Sequence, residues 1–331
     1  MKSAVNSAPG GASAERGGAG GADHGAGRTI SHGQLPKLVG YLIRKAHSGL
    51  FQSFTEALDD LGLAPGQYNA LLLIGLNPGL SQMALADASG IDRTTVVPIT
   101  ERFAKAGWVR RTRRTEDRRV YCLRLTPAGE AVLKSAQPLI DAHEKEFVAA
   151  LRPGERALLR SLLARIADLE AAKPAEVLDF GPLPTLVGYQ LKRAYSYLFR
   201  TFMAAFKHLQ LAPGQYSALV LIGLNPGLSQ LDLAQAVGLD GSTLVPITNR
   251  FVKLGWIRRA RRKSDRRVYA LRITPAGQAV LDEARPLIAA RERHLASVLN
   301  PEQRGSLIDM LSRITDEQPQ DPPSGARRSK S

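Results

Sequence analysis

The 331-residue chain has a single cysteine, Cys122, and few aromatic residues, 6% of the total. One thiol rules out a disulfide framework and a four-cysteine zinc site, and it suits a reducing compartment. No apolar run approaches the roughly 20 residues that span a bilayer, because the longest candidates are broken by glycine, proline or asparagine. The N-terminus lacks the basic start and apolar stretch of a secretory signal. A phosphate loop, a cluster of metal ligands and a nucleophile–base pair are also missing. A cytoplasmic protein is therefore expected, neither an enzyme nor a membrane protein, with no metal and no cofactor.

Cationic charge is in excess: 45 Lys and Arg against 30 Asp and Glu, a net charge of +15. Residues 110–124 hold seven arginines against Glu116 and Asp117, and residues 258–272 hold seven arginines and Lys263 against Asp265. These two segments supply +5 and +7, most of the total. Charge so concentrated points to a polyanionic partner rather than to general solubility. Neither segment has the one-sided apolar stripe of a membrane-surface helix, so nucleic acid is the expected partner.

A shift of 148 residues superposes the chain on itself: Leu38-Val39-Gly40-Tyr41 falls on Leu186-Val187-Gly188-Tyr189, and Trp108 on Trp256. Without a gap, about 77 of the 133 positions from 36–168 match those from 184–316. The period is a whole domain, too long for a solenoid unit. The expected organisation is a disordered tail over 1–33, a domain over 34–169, a linker over 170–182, a second domain over 183–317 and a tail over 318–331.

Within a repeat, apolar spacing predicts a helix from Leu38 to about Leu61, broken by Ala64-Pro65-Gly66, and a second from Gln67 to Leu76. Ser81 is placed to cap a helix ending at Ser89, and Gly90 to make a left-handed turn. Asp92 or Thr94 then caps a helix from Thr95 to Ala106. This pair of short helices forms a helix-turn-helix, whose second helix enters the major groove. Trp108-Val109 and Tyr121–Leu125 read as a hairpin around an arginine-rich tip, followed by a long helix after Thr126 and a last one from about Pro153.

In their order and spacing, Leu85-Ala86, Gly90-Ile91-Asp92-Arg93-Thr94-Thr95-Val96, Lys105-Ala106-Gly107-Trp108-Val109, Asp117-Arg118-Arg119 and Leu125-Thr126-Pro127-Ala128-Gly129 resemble the MarR-type winged-helix transcriptional regulators. The second repeat carries counterparts, among them Gly238-Leu239-Asp240-Gly241-Ser242-Thr243 and Asp265-Arg266-Arg267. The implied fold is mainly α with small β wings: two winged-helix domains forming an intramolecular pseudo-dimer. The resemblance implies a dimeric repressor or activator with its first and last helices at the interface, often released from DNA by a small ligand or oxidant. A pseudo-palindromic double-stranded DNA operator is the expected partner, a small effector of aromatic-acid type a further one, and one chain stands for a family dimer. The alternative function is a nucleoid-type architectural protein without strong sequence preference.

Candidate DNA contacts in repeat one are Ser81, Gln82, Arg93, Thr94, Thr95, Pro98 and Arg102, with Val97 and Thr100 on the same helix. Those in repeat two are Ser229, Gln230, Ser242, Thr243, Pro246 and Arg250. Val96, Ile99 and Phe103 read as core. Wing candidates are Arg113, Arg114, Arg261 and Arg262; the resemblance adds Arg119 for the minor groove with Asp117 to orient it, and likewise Arg267 with Asp265. These wing residues also admit a plain solvated face or an ion pair. Gly241 opposite Arg93, and Asn249 opposite Glu101, make the halves unequal. Cys122 reads as an inert thiol, replaced by Ala270. Effector candidates, each with a purely structural alternative, are Tyr41, Arg44, His47 and Tyr68, with counterparts Tyr189, Lys192, Tyr195 and Tyr216.

Overall fold

Several helices of this chain start at a serine, threonine or aspartate side chain that accepts one of their first free N–H groups, and two of them stop where glycine turns the backbone left-handed. A computed structural model describes residues 30–91, 93–113, 121–169, 177–261 and 269–316; most of both terminal tails and residues 170–176 of the linker lie outside these. Repeat one runs α1 (Val39–Leu58), α2 (Pro65–Leu76), β1 (Leu80–Ser81), α3 (Gln82–Ser89), α4 (Arg93–Lys105), β2 (Val109–Arg113), β3 (Tyr121–Leu125), α5 (Pro127–Phe147) and α6 (Glu155–Ala167). Repeat two runs α7 (Val187–Ala205), α8 (Pro213–Leu224), α9 (Gln230–Val237), α10 (Gly241–Lys253), β4 (Ile257–Arg261), β5 (Tyr269–Ile273), α11 (Pro275–Leu295) and α12 (Pro301–Asp316).

Three local expectations change. Ala64-Pro65-Gly66 opens α2 instead of acting as a breaker. Proline at the first helical position lacks only an N–H that would be unpaired there, and Gln67 accepts from the Ala64 N–H at 3.2 Å. Leu80-Ser81 is a short strand pairing with Leu123 and Cys122, besides supplying the α3 cap. The last helix of repeat one starts at Glu155, after Gly154 at φ 85°.

The Leu-Thr-Pro-Ala-Gly sequence after the wing has a steric logic. Thr126 accepts the Gly129 N–H at 3.1 Å, starting α5, and its hydroxyl donates to the Gly107 carbonyl at 2.6 Å. A Cβ at Gly129 would lie 2.3 Å from the Trp108 carbonyl oxygen, and one at Gly277 would lie 2.2 Å from that of Trp256. Only glycine lets α5 and α11 approach the strand this closely. Ser81 and Ser229 cap α3 and α9, which end on left-handed Gly90 and Gly238.

In each winged lobe a small core lies between the helix-turn-helix and the hairpin: Leu85, Val96, Phe103, Val109 and Leu123 in repeat one, with equivalents in repeat two. Trp108 is half-buried, its ring 5.8 Å from Phe103. In the hairpins, Val109 pairs with Leu125 and Ile257 with Ile273.

The repeats interlock within one compact unit, Ser31–Ser331. α1 packs against α12 and α7 against α6, while α1 and α7 also meet each other. Val39, Ile43 and Ala46 of α1, Leu191 of α7, Leu163 of α6 and Leu311 of α12 are all buried. The segment before each repeat reaches the other. Asn77 donates to the Asp179 carbonyl and accepts its N–H, both at 2.8 Å; Asn225 does the same with Ser31 at 2.8 and 2.9 Å.

Glu144 of α5, 3% exposed, crosses to the start of α7 and accepts the N–H groups of Val187 at 2.6 Å and Gly188 at 3.1 Å. Glu144 also accepts from Arg156 at 3.3 Å, as its equivalent Glu292 does from Arg304, and Arg304 donates besides to the Lys37 carbonyl. Glu144→Ala should therefore lower stability in urea unfolding by about 1–3 kcal/mol for the stranded amides, and Glu292→Ala by less. Equal losses would contradict the assignment.

Candidate nucleic-acid interface

An amphipathic helix lying on its own lobe must leave one face outward. Arg93, Thr94, Thr95, Val97 and Pro98 form an exposed strip along α4, as Gly241, Ser242, Thr243, Val245 and Pro246 do along α10. Pro98 and Pro246 each remove one backbone donor, yet both helices continue through them to Lys105 and Lys253. Thr100, expected outward, is fully buried and donates to the Val97 carbonyl. Ile99 is half-buried, whereas Val96 and Phe103 are in the core.

Other candidates are turned toward the protein. Ser81 and Ser229 are buried and hold the α3 and α9 caps. Gln82 donates to the Thr100 hydroxyl, and Gln230 to that of Thr248 at 2.6 Å. These bonds pin the two helices of each helix-turn-helix together. Arg102 donates to Gln67 at 3.1 Å and to the Gly62 carbonyl, and Arg250 donates to Gln215 at 2.9 Å and Gln210 at 3.4 Å. Arg102 thus ties α4 to the start of α2 and the turn before it, and Arg250 ties α10 likewise to α8. Arg93 lies 3.3 Å from Asp87, an exposed pair of little weight.

The first strand of each hairpin supplies residues that the sequence reading passed over. Half-buried Arg111 pairs with Glu101 at 3.5 Å and stacks on Tyr121, 4.4 Å from its ring centre. Arg259 donates to Thr248 and Asn249, each at 2.8 Å. The exchange of Glu101 for Asn249 thus retains a bond from recognition helix to wing strand. Each arginine's recurrence as the third residue of its hairpin was the available signal. Arg113 is exposed near Tyr121. Arg114, Asp117, Arg119, Arg262, Asp265, Arg267 and the side chain of Arg261 lie outside the described residues, as does Asp92.

The α10 cap is visible. Asp240 accepts the Thr243 N–H and hydroxyl, both at 2.7 Å, and the Ser242 hydroxyl. These bonds, led by that from Ser242, hold its carboxyl down to about 2.

The eight effector candidates gather into two cavities, each built from both repeats. Tyr41 and Arg44 of α1 join Tyr195 and Tyr216 around one of about 60 Å³. His47 and Tyr68 join Tyr189, Lys192 and Tyr195 around another of about 240 Å³. In each, the cation crosses to the opposite helix-turn-helix: Arg44 donates to the Val237 carbonyl at 2.8 Å, and Lys192 to that of Ser89 at 3.2 Å. Those carbonyls end α9 and α3, where a positive charge suits the helix dipole. Burial pushes Arg44 below its ordinary value, Lys192 down to about 8 and His47 down to about 4. Burial raises Tyr41, and it pushes Tyr68 up to about 12. His47 stacks on Tyr195 with ring centres 4.1 Å apart.

Among the described residues no helix is long and apolar enough to cross a membrane, and no group of His, Cys, Asp or Glu could hold a metal. The MarR family model matches residues 63–121 and again 211–269. A putative transcriptional regulatory protein for the hcr operon of Thauera aromatica is 33% identical over 45% of this chain and 90% of its own. Transcriptional regulator HosA of Escherichia coli is 32% identical over 36% of this chain and 90% of its own. A solved structure of the transcriptional repressor CouR bound to a 23-mer DNA duplex is 36% identical, covering 42% of this chain and 99% of that one, with a TM-score of 0.40.

The Asp240 cap predicts a pH signature. The folded chain favours the carboxylate, so the stabilisation is complete above the ordinary aspartate value of 3.8 and is lost as pH falls toward about 2. Asp240→Ala should melt below wild type at pH 6, and the gap should close as pH falls from about 4 to about 2. A gap constant over that range would contradict the cap.

Proposed function

The chain belongs to the MarR family of transcriptional regulators, and from that premise we propose that it is a repressor holding both halves of a pseudo-palindromic operator with one polypeptide. The observation carrying this reading is the interlocking of the repeats. Exchanged terminal helices and leading segments join two exposed recognition strips in one unit. In winged-helix dimers, recognition helices about 34–36 Å apart enter successive major grooves. Tethering makes the pairing of the halves intramolecular, so it does not depend on chain concentration.

In this reading Arg93, Thr94, Thr95 and Pro98 face one half-site, and Ser242, Thr243 and Pro246 the other. Arg113, Arg114, Arg261 and Arg262 neutralise phosphates. Arg119 and Arg267 enter the narrow minor groove, where the negative potential is strongest. Arg102, Arg250, Gln82 and Gln230 set the pose of the recognition helices instead. Release by an effector is supported by the two bonds from pocket to helix-turn-helix, Arg44 to Val237 and Lys192 to Ser89. A ligand that draws either cation away frees the end of α9 or α3.

Competition between operator and random duplex at a fixed salt concentration tests the function, with the operator found by selection from genomic fragments. A large excess of random DNA should fail to displace the operator; equal competition would support an architectural binder instead. Arg119→Ala and Arg267→Ala should each cost about 1–3 kcal/mol of operator affinity. Unchanged affinity in both would remove the wings from the interface.

A further inference from the structure

Two domains that share one chain change independently, so their outward faces need not stay alike. Along the exposed strips of α4 and α10, Thr95, Val97 and Pro98 recur as Thr243, Val245 and Pro246, and Thr94 keeps its hydroxyl as Ser242. Other differences turn inward: Val96 and Leu244 are core residues, and Glu101 and Asn249 each meet a strand arginine. At the head of the strip the outward chemistry changes, because Gly241 stands where repeat one has Arg93.

Arg93 does not differ alone. Its Nη2 donates to the Asp87 carboxylate of α3 at 3.3 and 3.5 Å, and the position of Asp87 is taken by Gln235 in repeat two. Guanidinium and carboxylate stand together in one repeat and are replaced together in the other. Stability does not account for the pair: its side chains are 66% and 63% exposed, and an ion pair so wet contributes less than about 1 kcal/mol. Packing does not account for Gly241 either. A Cβ there would meet open space at the first residue of α10, so a longer side chain fits.

The chemistry of the pair selects its partner. Toward a phosphate, Asp87 cancels much of the attraction of Arg93, since together they carry no net charge. Base edges are neutral acceptors, for which the direction of the donors matters more than net charge. A carboxylate bonded to one nitrogen of a planar guanidinium fixes where its other donors point. Guanine presents two acceptors, O6 and N7, in the major groove, where the first residues of a recognition helix reach.

We propose that Arg93, oriented by Asp87, is a specificity-determining residue that reads a guanine in one half-site only, so that the chain lies on its operator in a single orientation. The bases met by Thr95, Val97 and Pro98 repeat as a palindrome, and the guanine has no counterpart in the half-site of repeat two. A dimer of identical chains reads alike in both directions, whereas this chain gives its operator a direction. The inference rests on the proposed binding of one chain across a two-part operator and adds to it a residue, a base and a polarity.

Selection by the whole chain from a library of random duplexes about 30 base pairs long, enough for two major grooves one turn apart, tests it beside two double variants. Wild type should enrich a palindromic core with a guanine constrained on one flank, and changing that base pair should weaken binding at least about fivefold. Asp87→Gln with Arg93→Gly should enrich a symmetric site without that guanine. Gln235→Asp with Gly241→Arg should enrich the guanine on both flanks. All four positions are exposed, and thermal melts report whether each variant is folded. A flanking guanine kept by the folded Asp87→Gln, Arg93→Gly chain would overturn the proposal. So would a loss in that chain equal for selected and random duplex, which is the mark of a phosphate contact. Enrichment of a symmetric two-part site by wild type sinks this inference and leaves the proposed function standing. No enrichment of any sequence by the folded wild type sinks both.

Discussion

The structure depends on one packing constraint: the first helix of each repeat is covered by the last helix of the other. An amphipathic helix such as α1 has to bury its apolar face against something, and α12 of the opposite repeat packs on it. The remaining reciprocal contacts follow from that exchange. The leading segments arrive at Asn77 and Asn225, Glu144 arrives at the open end of α7, and Arg44 and Lys192 arrive at the ends of α9 and α3. A lobe that touched its partner at one patch could rotate against it. Here the contacts run from the outer helices to the back of each reading head.

That arrangement also explains which changes the duplication has tolerated. Contacts that fix position survive with altered chemistry: Arg44 and Lys192 differ, yet they donate to equivalent carbonyls, those of Val237 and Ser89. Glu101 and Asn249 differ in charge, yet each still receives a strand arginine. At the glycines after Thr126 and Thr274 no alternative is open, since a carbonyl oxygen stands where a Cβ would be. Gly241 is the opposite case: a Cβ there meets open space, so nothing in the packing explains why Arg93 has no counterpart.

Much of the lobe was legible in the sequence because local chemistry decides it. Serine and threonine caps, left-handed glycines and the apolar spacing of Val96 and Phe103 act within a few residues. The 148-residue repeat announced the duplication. Misreadings arise where a local signal admits two outcomes: Ala64-Pro65-Gly66 reads as the break after the first helix but forms the start of the second, and Leu80-Ser81 doubles as strand and cap. The roles of Arg102, Arg250, Gln82 and Gln230 could not be read, since their partners lie 18 to 40 residues away along the chain. Tyr41 and Arg44 were recognisable as pocket candidates. That they share a cavity with Tyr195 and Tyr216 of the other repeat depends on the crossing of α1 and α7, which no short pattern encodes.

The central claim is that a single chain supplies both reading heads through contacts within itself. Sedimentation velocity on a minimal operator duplex, with the chain titrated across a wide concentration range, tests it most directly. One chain per duplex at every saturating concentration, with a simple hyperbolic binding curve, is the predicted result. Two chains on each minimal duplex, or affinity that rises with chain self-association, would contradict it.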